Sequence, residues 1–311
     1  MIPDIYLPIA KHSADILLFL TLGGAVGFIS GLFGVGGGFL MTPLLIMSGI
    51  PPIVAAASDT NQIIAAATSG TYAHYRMGNV DLKMGILVLA GSILGGSLGV
   101  EIIKVLQMMG EADFLIKSTY VIMLSIIGNF MLIESIRSLR GKSSAAAHEA
   151  DAQRMPHSRS RRMAAYLPWQ MHFDKSGVTL SPILPLCIGI VVGTISSILG
   201  VGGGFIMVPM MFYVLRMPMH LAVGTNLFQE AFLCINVTVM QAVNNRSVDL
   251  VLAMILLAGS SIGAQIGART SRKLHADQLR LLLALVVIAV MIKILFGLLL
   301  SPHYLLDMKG I

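Results

Sequence analysis

The string Gly34-Val35-Gly36-Gly37-Gly38-Phe39 recurs as Gly200-Val201-Gly202-Gly203-Gly204-Phe205, and each copy interrupts a strongly apolar stretch. The match extends outward. Gly27, Ile29, Ser30, Met41 and Pro43 return as Gly193, Ile195, Ser196, Met207 and Pro209, all at the same displacement along the chain as the glycine strings. The duplication implies two equivalent halves. Consecutive glycines inside apolar sequence break a helix where hydrocarbon tolerates irregular backbone only against protein or a cavity. Paired breaks in corresponding positions of two halves mark a place where a solute can reach the backbone.

Composition places that break in a bilayer. Hydrophobic residues make up 56% of the chain and charged residues 12%, whereas soluble domains carry about 25% charged residues. Several runs exceed the roughly 18 apolar residues that a spanning helix needs. Ten-residue stretches of alternating polarity are missing, which disfavours an outer-membrane barrel. The stretch from Met1 to Asp15 holds one Lys and two Asp. It has neither a basic start nor a small-residue cleavage site, so the first helix is expected to be retained. Cys187 and Cys234 fall inside expected spans and read as small buried apolar residues, with no spacing that suggests a disulfide or a metal. The net charge of +6 reports orientation in a membrane protein, not a nucleic-acid partner.

The expected fold class is an all-α integral membrane protein. It has two inverted repeats of about five helical segments each, with glycine-broken short helices. Residues 1–139 form the first repeat, 140–178 a basic linker and 179–311 the second repeat. In the first, 14–33 spans, 34–42 is a glycine loop and Pro43 to Gly49 a short helix with Thr42 as its N-cap. Spans at 52–76, 82–105 and 114–139 follow. The second repeats the plan with 180–199, the loop 200–208, a short helix 209–216, and spans 218–244, 248–268 and 279–300. Thr60-Asn61 is matched to Thr225-Asn226, and Val80-Asp81-Leu82 to Val248-Asp249-Leu250. An odd number of segments per repeat forces inversion. Arg140, Lys142, Arg154, Arg159, Arg161, Arg162 and Lys175 make the linker basic, and Arg269, Arg272, Lys273 and Arg280 do the same for a later loop. Both are therefore expected in the cytoplasm, with both termini outside.

The glycine loops are the first candidate site: Gly36, Gly37, Gly38 and Phe39 with Gly202, Gly203, Gly204 and Phe205. Backbone N–H groups without neighbouring Cβ atoms suit an oxyanion; close helix packing is the competing reading, and the one preferred for Gly91, Gly95 and Gly99. The second candidate is the polar stretch of the third segment in each repeat. Thr60 and Asn61 with Thr225, Asn226 and Gln229 are read as solute ligands or as interhelical hydrogen bonds. Asp59 and Glu230 are proton-coupling candidates, because burial favours a neutral carboxyl that can take up and release a proton. No nucleotide-binding, metalloprotease or nucleophile-elbow string is present. The chain is read as a non-enzyme without cofactor or metal.

The doubled element running from Gly31 through Gly34-Val35-Gly36-Gly37-Gly38-Phe39 to Pro43, and again from Gly200 to Pro209, resembles the TauE/SafE family of sulfite-exporter-like transporters. The segments Ala55-Ala56-Ala57-Ser58-Asp59-Thr60-Asn61 and Ala222-Val223-Gly224-Thr225-Asn226 look like its small-residue-plus-Thr motif. The resemblance covers nearly the whole chain outside the linker. It implies a multi-pass protein of a bacterial-type inner membrane that acts as a secondary transporter, an exporter of sulfite or C2 sulfonates such as sulfoacetate. A passive anion channel and a non-transporting scaffold are the alternatives. The implied partners are a small anionic solute and the lipid bilayer, with a homodimer left open and no nucleic acid. Asp59 and the long linker depart from the family pattern.

Overall fold

The computed structural model describes residues 4–10, 12–33, 38–139, 170–271, 285 and 287–297. A short antiparallel hairpin, β1 (Asp4–Leu7) and β2 (His12–Asp15), leads into α1 (Ile16–Phe33), α2 (Gly38–Met47), α3 (Pro52–Arg76), α4 (Leu82–Met109) and α5 (Ala112–Leu139). A second hairpin, β3 (Met171–Phe173) and β4 (Val178–Leu180), leads into α6 (Ile183–Leu199) and α7 (Gly204–Pro209), which continues as a π-turn over Met210–Val214. Then come α8 (Met219–Met240) with its own π-turn at Gln241–Asn245, α9 (Leu250–Ser271) and α10 (Val287–Gly297). The described chain is mostly helical, as expected.

The hairpins are additions to the sequence reading. Each precedes the first helix of its half. The fully buried Leu7 and Phe173 are displaced from one another by the same distance in sequence as the two glycine loops. The repeated unit therefore starts before α1. Residues 171–178, read as the end of the linker, form β3, its turn and the start of β4. Residues 140–169 of the linker lie outside the described residues, as does the basic stretch 272–280.

The short helices start earlier than expected. Gly202 and Gly203 take positive φ of 73° and 85°, Gly203 is the residue before the first turn, and helix runs from Gly204. Likewise α2 starts at Gly38. In the second run Gly200, Gly202 and Gly203 hold the left-handed positions, and the last glycine of each run is already helical. Pro43 and Pro209 then fall inside the helix. There each removes the N–H that would have bonded the carbonyl of Phe39 or Phe205. Thr42 is not a cap; its hydroxyl donates to Asp59.

Glycine faces set the packing. A Cβ added to Gly23 would meet Leu256, one on Gly27 would meet Ser260 and one on Gly263 would meet Gly24. Both helices advance together, so α1 and α9 are parallel. Gly91 lies on Leu186 and Gly189, Gly95 on Ile190, and Gly99 on Thr194, so α4 and α6 are parallel too. The packing reading of Gly91, Gly95 and Gly99 holds: small residues bring the backbones together where lipid gives no hydrophobic drive. The first helix of each half thus packs on the fourth helix of the other. The third helices meet head to tail. Thr60 pairs with Thr238 across 3.0 Å and Gly70 lies on Leu227, so α3 and α8 are antiparallel.

Polarity is distributed inside out. Leu94, Leu98, Ile122, Ile126, Met254, Ile262 and Phe296 point outward, while Asp59, Thr225, Gln229 and Glu230 are buried. Water penalises that arrangement and a bilayer rewards it. Among the described residues one helix, Leu82–Met109, is both long and apolar enough to cross a membrane unaided. α3 and α8 have the length but carry polar residues at mid-helix. Cys234 is buried as expected, but Cys187 is exposed.

Candidate functional site

The short helices that follow the two glycine runs meet at their starts. Phe39 and Phe205 have ring centroids 6.0 Å apart at 42°. A Cβ on Gly38 would stand 3.0 Å from the Val201 carbonyl and 2.6 Å from Ile63 Cδ1. The second loop is held from three sides. Tyr120 of α5 donates its hydroxyl to the Leu199 carbonyl at 2.6 Å. Gly200, at φ 70°, packs against the backbone of Ala56 in α3. Gly202 lies against the Glu230 carboxyl and Ile63.

Behind the breaks lie two buried polar chains of matching design. In α3, Asp59 accepts from Thr42 Oγ1 at 2.8 Å and from Gln62 Nε2 at 2.8 Å. In α8, Gln229 Nε2 donates to Asn226 Oδ1 at 3.0 Å, and Asn226 Nδ2 donates to Glu230 Oε2 at 3.0 Å. Asp59, Gln229 and Glu230 are at most 1% exposed. Neither acid is in an ion pair among the described residues, whose pairs are Lys83–Asp174 and Lys104–Glu101. Three buried acceptors lack a protein partner there: Gln62 Oε1, Gln229 Oε1 and Glu230 Oε1. The amide orientations follow from the neighbours, since each Nε2 or Nδ2 must face an acceptor. What the locus offers beyond backbone N–H is therefore a surplus of acceptors, suited to a proton or to a donor group on a ligand.

The hydrogen bonds correct the register of the repeat. Gln62 serves Asp59 as Gln229 serves Asn226, which equates Gln62 with Gln229 and Asp59 with Asn226. Ser58 then corresponds to Thr225: Ser58 Oγ accepts from the Asp249 N–H and Thr225 Oγ1 from the Asp81 N–H, both at 3.0 Å. Ile63 corresponds to Glu230, and each lies against the first glycine of its short helix, Gly38 and Gly204. The matched Thr-Asn dipeptides are out of step with this register. Thr60 bonds the Ala57 carbonyl and Thr238, and Asn61 turns back to the carbonyls of Ala57 and Ser58 at 3.4 Å. These two serve their own helix and the α3–α8 contact.

Of the expected site residues, the structure thus gathers Gly38, Phe39, Asp59, Gly202, Gly203, Gly204, Phe205, Asn226, Gln229 and Glu230, whereas the Thr225 hydroxyl turns away to the Asp81 N–H. Thr60 and Asn61 sit beside this group, and Gly36 and Gly37 lie outside the described residues. Thr42, Gln62 and Tyr120 join it from the structure. A repeated pattern of hydroxyl, Asp or Asn, two intervening positions and Gln, at Ser58-Asp59…Gln62 and Thr225-Asn226…Gln229, was the available signal.

A family model described as sulfite exporter TauE/SafE matches residues 19–294. The chain belongs to that family. Relatives that span nearly the whole chain include a protein named probable membrane transporter protein YjnA from Bacillus subtilis. It is 28% identical over 282 residues, covering 89% of this chain and 98% of its own. One named probable membrane transporter protein from Xylella fastidiosa is 26% identical over 286 residues, 91% of this chain and 95% of its own. The sulfite exporter TauE/SafE family protein 5 of Arabidopsis thaliana is 29% identical over 108 residues, 34% of this chain and 24% of its own. No solved structure matches the chain.

Proposed function

We propose that this TauE/SafE protein is a secondary transporter that exports small sulfur-containing anions, sulfite or C2 sulfonates, across a bacterial-type inner membrane. The solute binds between the repeats, beside the glycine breaks and the polar faces of α3 and α8. One observation carries the reading: the starts of both short helices and both polar chains, contributed by equivalent positions of the two halves, converge on one buried locus. A folding requirement alone does not explain the unpartnered acceptors gathered there, which suit a proton moved with the anion and not the anion itself. The antiparallel course of α3 and α8 supports inverted repeats, the architecture that lets one site face either side in turn. The basic linker and the 269–280 loop belong in the cytoplasm on this topology. Glu230 and Asp59 remain the proton-coupling candidates.

Thermal-shift measurements on the purified protein test the solute class. Sulfite, thiosulfate, sulfoacetate, taurine and carboxylate analogues are compared at matched ionic strength. A bound anion at 100 times its Kd adds about 2.7 kcal/mol to the folded state, enough to raise Tm by several degrees. At least one sulfur oxyanion is expected to do so while acetate does not. A shift with carboxylates alone would reject the sulfur assignment.

A further inference from the structure

The Val-Asp-Leu landmarks play no part in the site as described, yet both aspartates are almost fully buried, Asp81 at 2% and Asp249 at 0% exposed. Each uses its polar groups in three directions. One carboxylate oxygen caps the following helix: Asp81 Oδ1 accepts from the Met84 N–H at 3.2 Å, and Asp249 Oδ1 from Val251 and Leu252 at 3.1 and 3.2 Å. The other oxygen holds a hairpin turn. Asp81 Oδ2 accepts from Ser176 N–H at 3.2 Å and Ser176 Oγ at 2.8 Å, and Asp249 Oδ2 accepts from Ile9 and Ala10 N–H at 3.1 and 3.5 Å. Ala10 and Ser176 occupy the same position in the two halves, as Leu7 and Phe173 do, so the two clasps are equivalent. The backbone N–H of each aspartate donates to a third-helix hydroxyl, Thr225 for Asp81 and Ser58 for Asp249. Those hydroxyls directly precede Asn226 and Asp59.

We infer that Asp81 and Asp249 are positioning residues of the transport site, each fastening a hairpin of the opposite repeat to that repeat's polar helix. The inference rests on the transport reading above. A cap alone needs one oxygen; the second oxygen and the N–H link two elements of the other half. α4 follows α3 and α9 follows α8 through tight turns, and α3 and α8 are antiparallel, so α4 and α9 run oppositely. The clasps therefore lie at opposite ends of the molecule, and a site that opens to one end at a time would release one while the other stays closed. The Asp81 clasp is reinforced: Lys175 Nζ donates to the Val80 carbonyl at 3.1 Å. Lys83 reaches Asp174 in the same turn, and its ammonium holds the Asp174 carboxyl below the ordinary carboxylate range.

Asp81→Asn and Asp249→Asn separate the roles, since asparagine caps a helix as well as aspartate does but sets an NH2 donor against the donors of the hairpin turn. Hydrogen–deuterium exchange on the full chain reads the coupling without any solute. Asp81→Asn should speed exchange at 171–180 and in the first turns of α8 but not at 4–15; Asp249→Asn should do so at 4–15 and around Ser58 but not at 171–180. In proteoliposomes, exchange of radiolabelled sulfite should slow about tenfold in maximal rate while KM stays within about threefold. Should either variant fail to fold, Thr225→Val and Ser58→Ala break the helix end of the same clasps and must give the same split. Wild-type exchange patterns and rates in the variants would overturn the inference and leave the transport reading intact. Absence of sulfite flux in the wild type counts against that reading instead, and the exchange pattern then decides the clasps.

Discussion

Gly202→Val abolishes transport in a protein that still inserts. Two independent effects combine at this residue. Its φ of 73° is a conformation that costs a residue with a Cβ about 1–2 kcal/mol, and more when that Cβ is branched. The added Cβ also falls onto Glu230 Oε1 and stands 2.9 Å from Ile63 Cγ2, an overpacking that costs about 1–3 kcal/mol where neighbours cannot move. Glu230 yields more easily than backbone, and yielding displaces the carboxyl and the Asn226–Gln229 chain behind it. Gly110→Val is the control: its φ is 80°, yet nothing lies within 4 Å of the added Cβ. It should show the conformational cost alone and retain flux. Initial rates in proteoliposomes, normalised to inserted protein, make the comparison; equal flux from the two variants would remove the glycine break from the site.

Glu230→Gln loses pH-driven accumulation but keeps downhill exchange, whereas Asp59→Asn changes little. The internal repeat supplies the argument. Ile63 occupies the place of Glu230 in the first half, so the fold does not require an acid there. Asn226 occupies the place of Asp59, so an amide already serves where Asp59 stands. Glu230 is buried, accepts from the Asn226 side chain and has one oxygen without a protein partner, which leaves room for a proton. Glutamine keeps the shape and the bond from Asn226 but carries no exchangeable charge. With an imposed pH gradient, accumulation should fall about tenfold in Glu230→Gln and stay within about twofold of wild type in Asp59→Asn. A wild-type response in Glu230→Gln, or loss of the response in Asp59→Asn alone, would contradict this assignment.

Much of the fold could be read from the chain because its strongest signals are local. The proline restart at Pro52 and the charged end at Arg76 bound α3 where expected, and the glycine runs mark the breaks. Three features escaped. The start of the short helices depends on how many glycines the left-handed turn consumes, which Thr42-Pro43 as an apparent cap obscured. The hairpins are built from very short strands, too short for alternation to show. The register of α3 against α8 followed a literal Thr-Asn match, while the hydrogen bonds equate serine with threonine and aspartate with asparagine. Asp81 and Asp249 were visible as landmarks, but their hairpin partners are remote in sequence, and only tertiary structure brings them together.

Counterflow tests the central claim, that one central site faces each side of the membrane in turn. Proteoliposomes are loaded with the sulfur anion that gives the largest thermal shift, diluted into a trace of the same anion in radiolabelled form, and followed over time. An alternating site carries label inward on each return step, so internal label should rise well above its equilibrium level and then decay. Label that climbs only to equal concentration on both sides, with no overshoot, would show a passive pore and contradict the account.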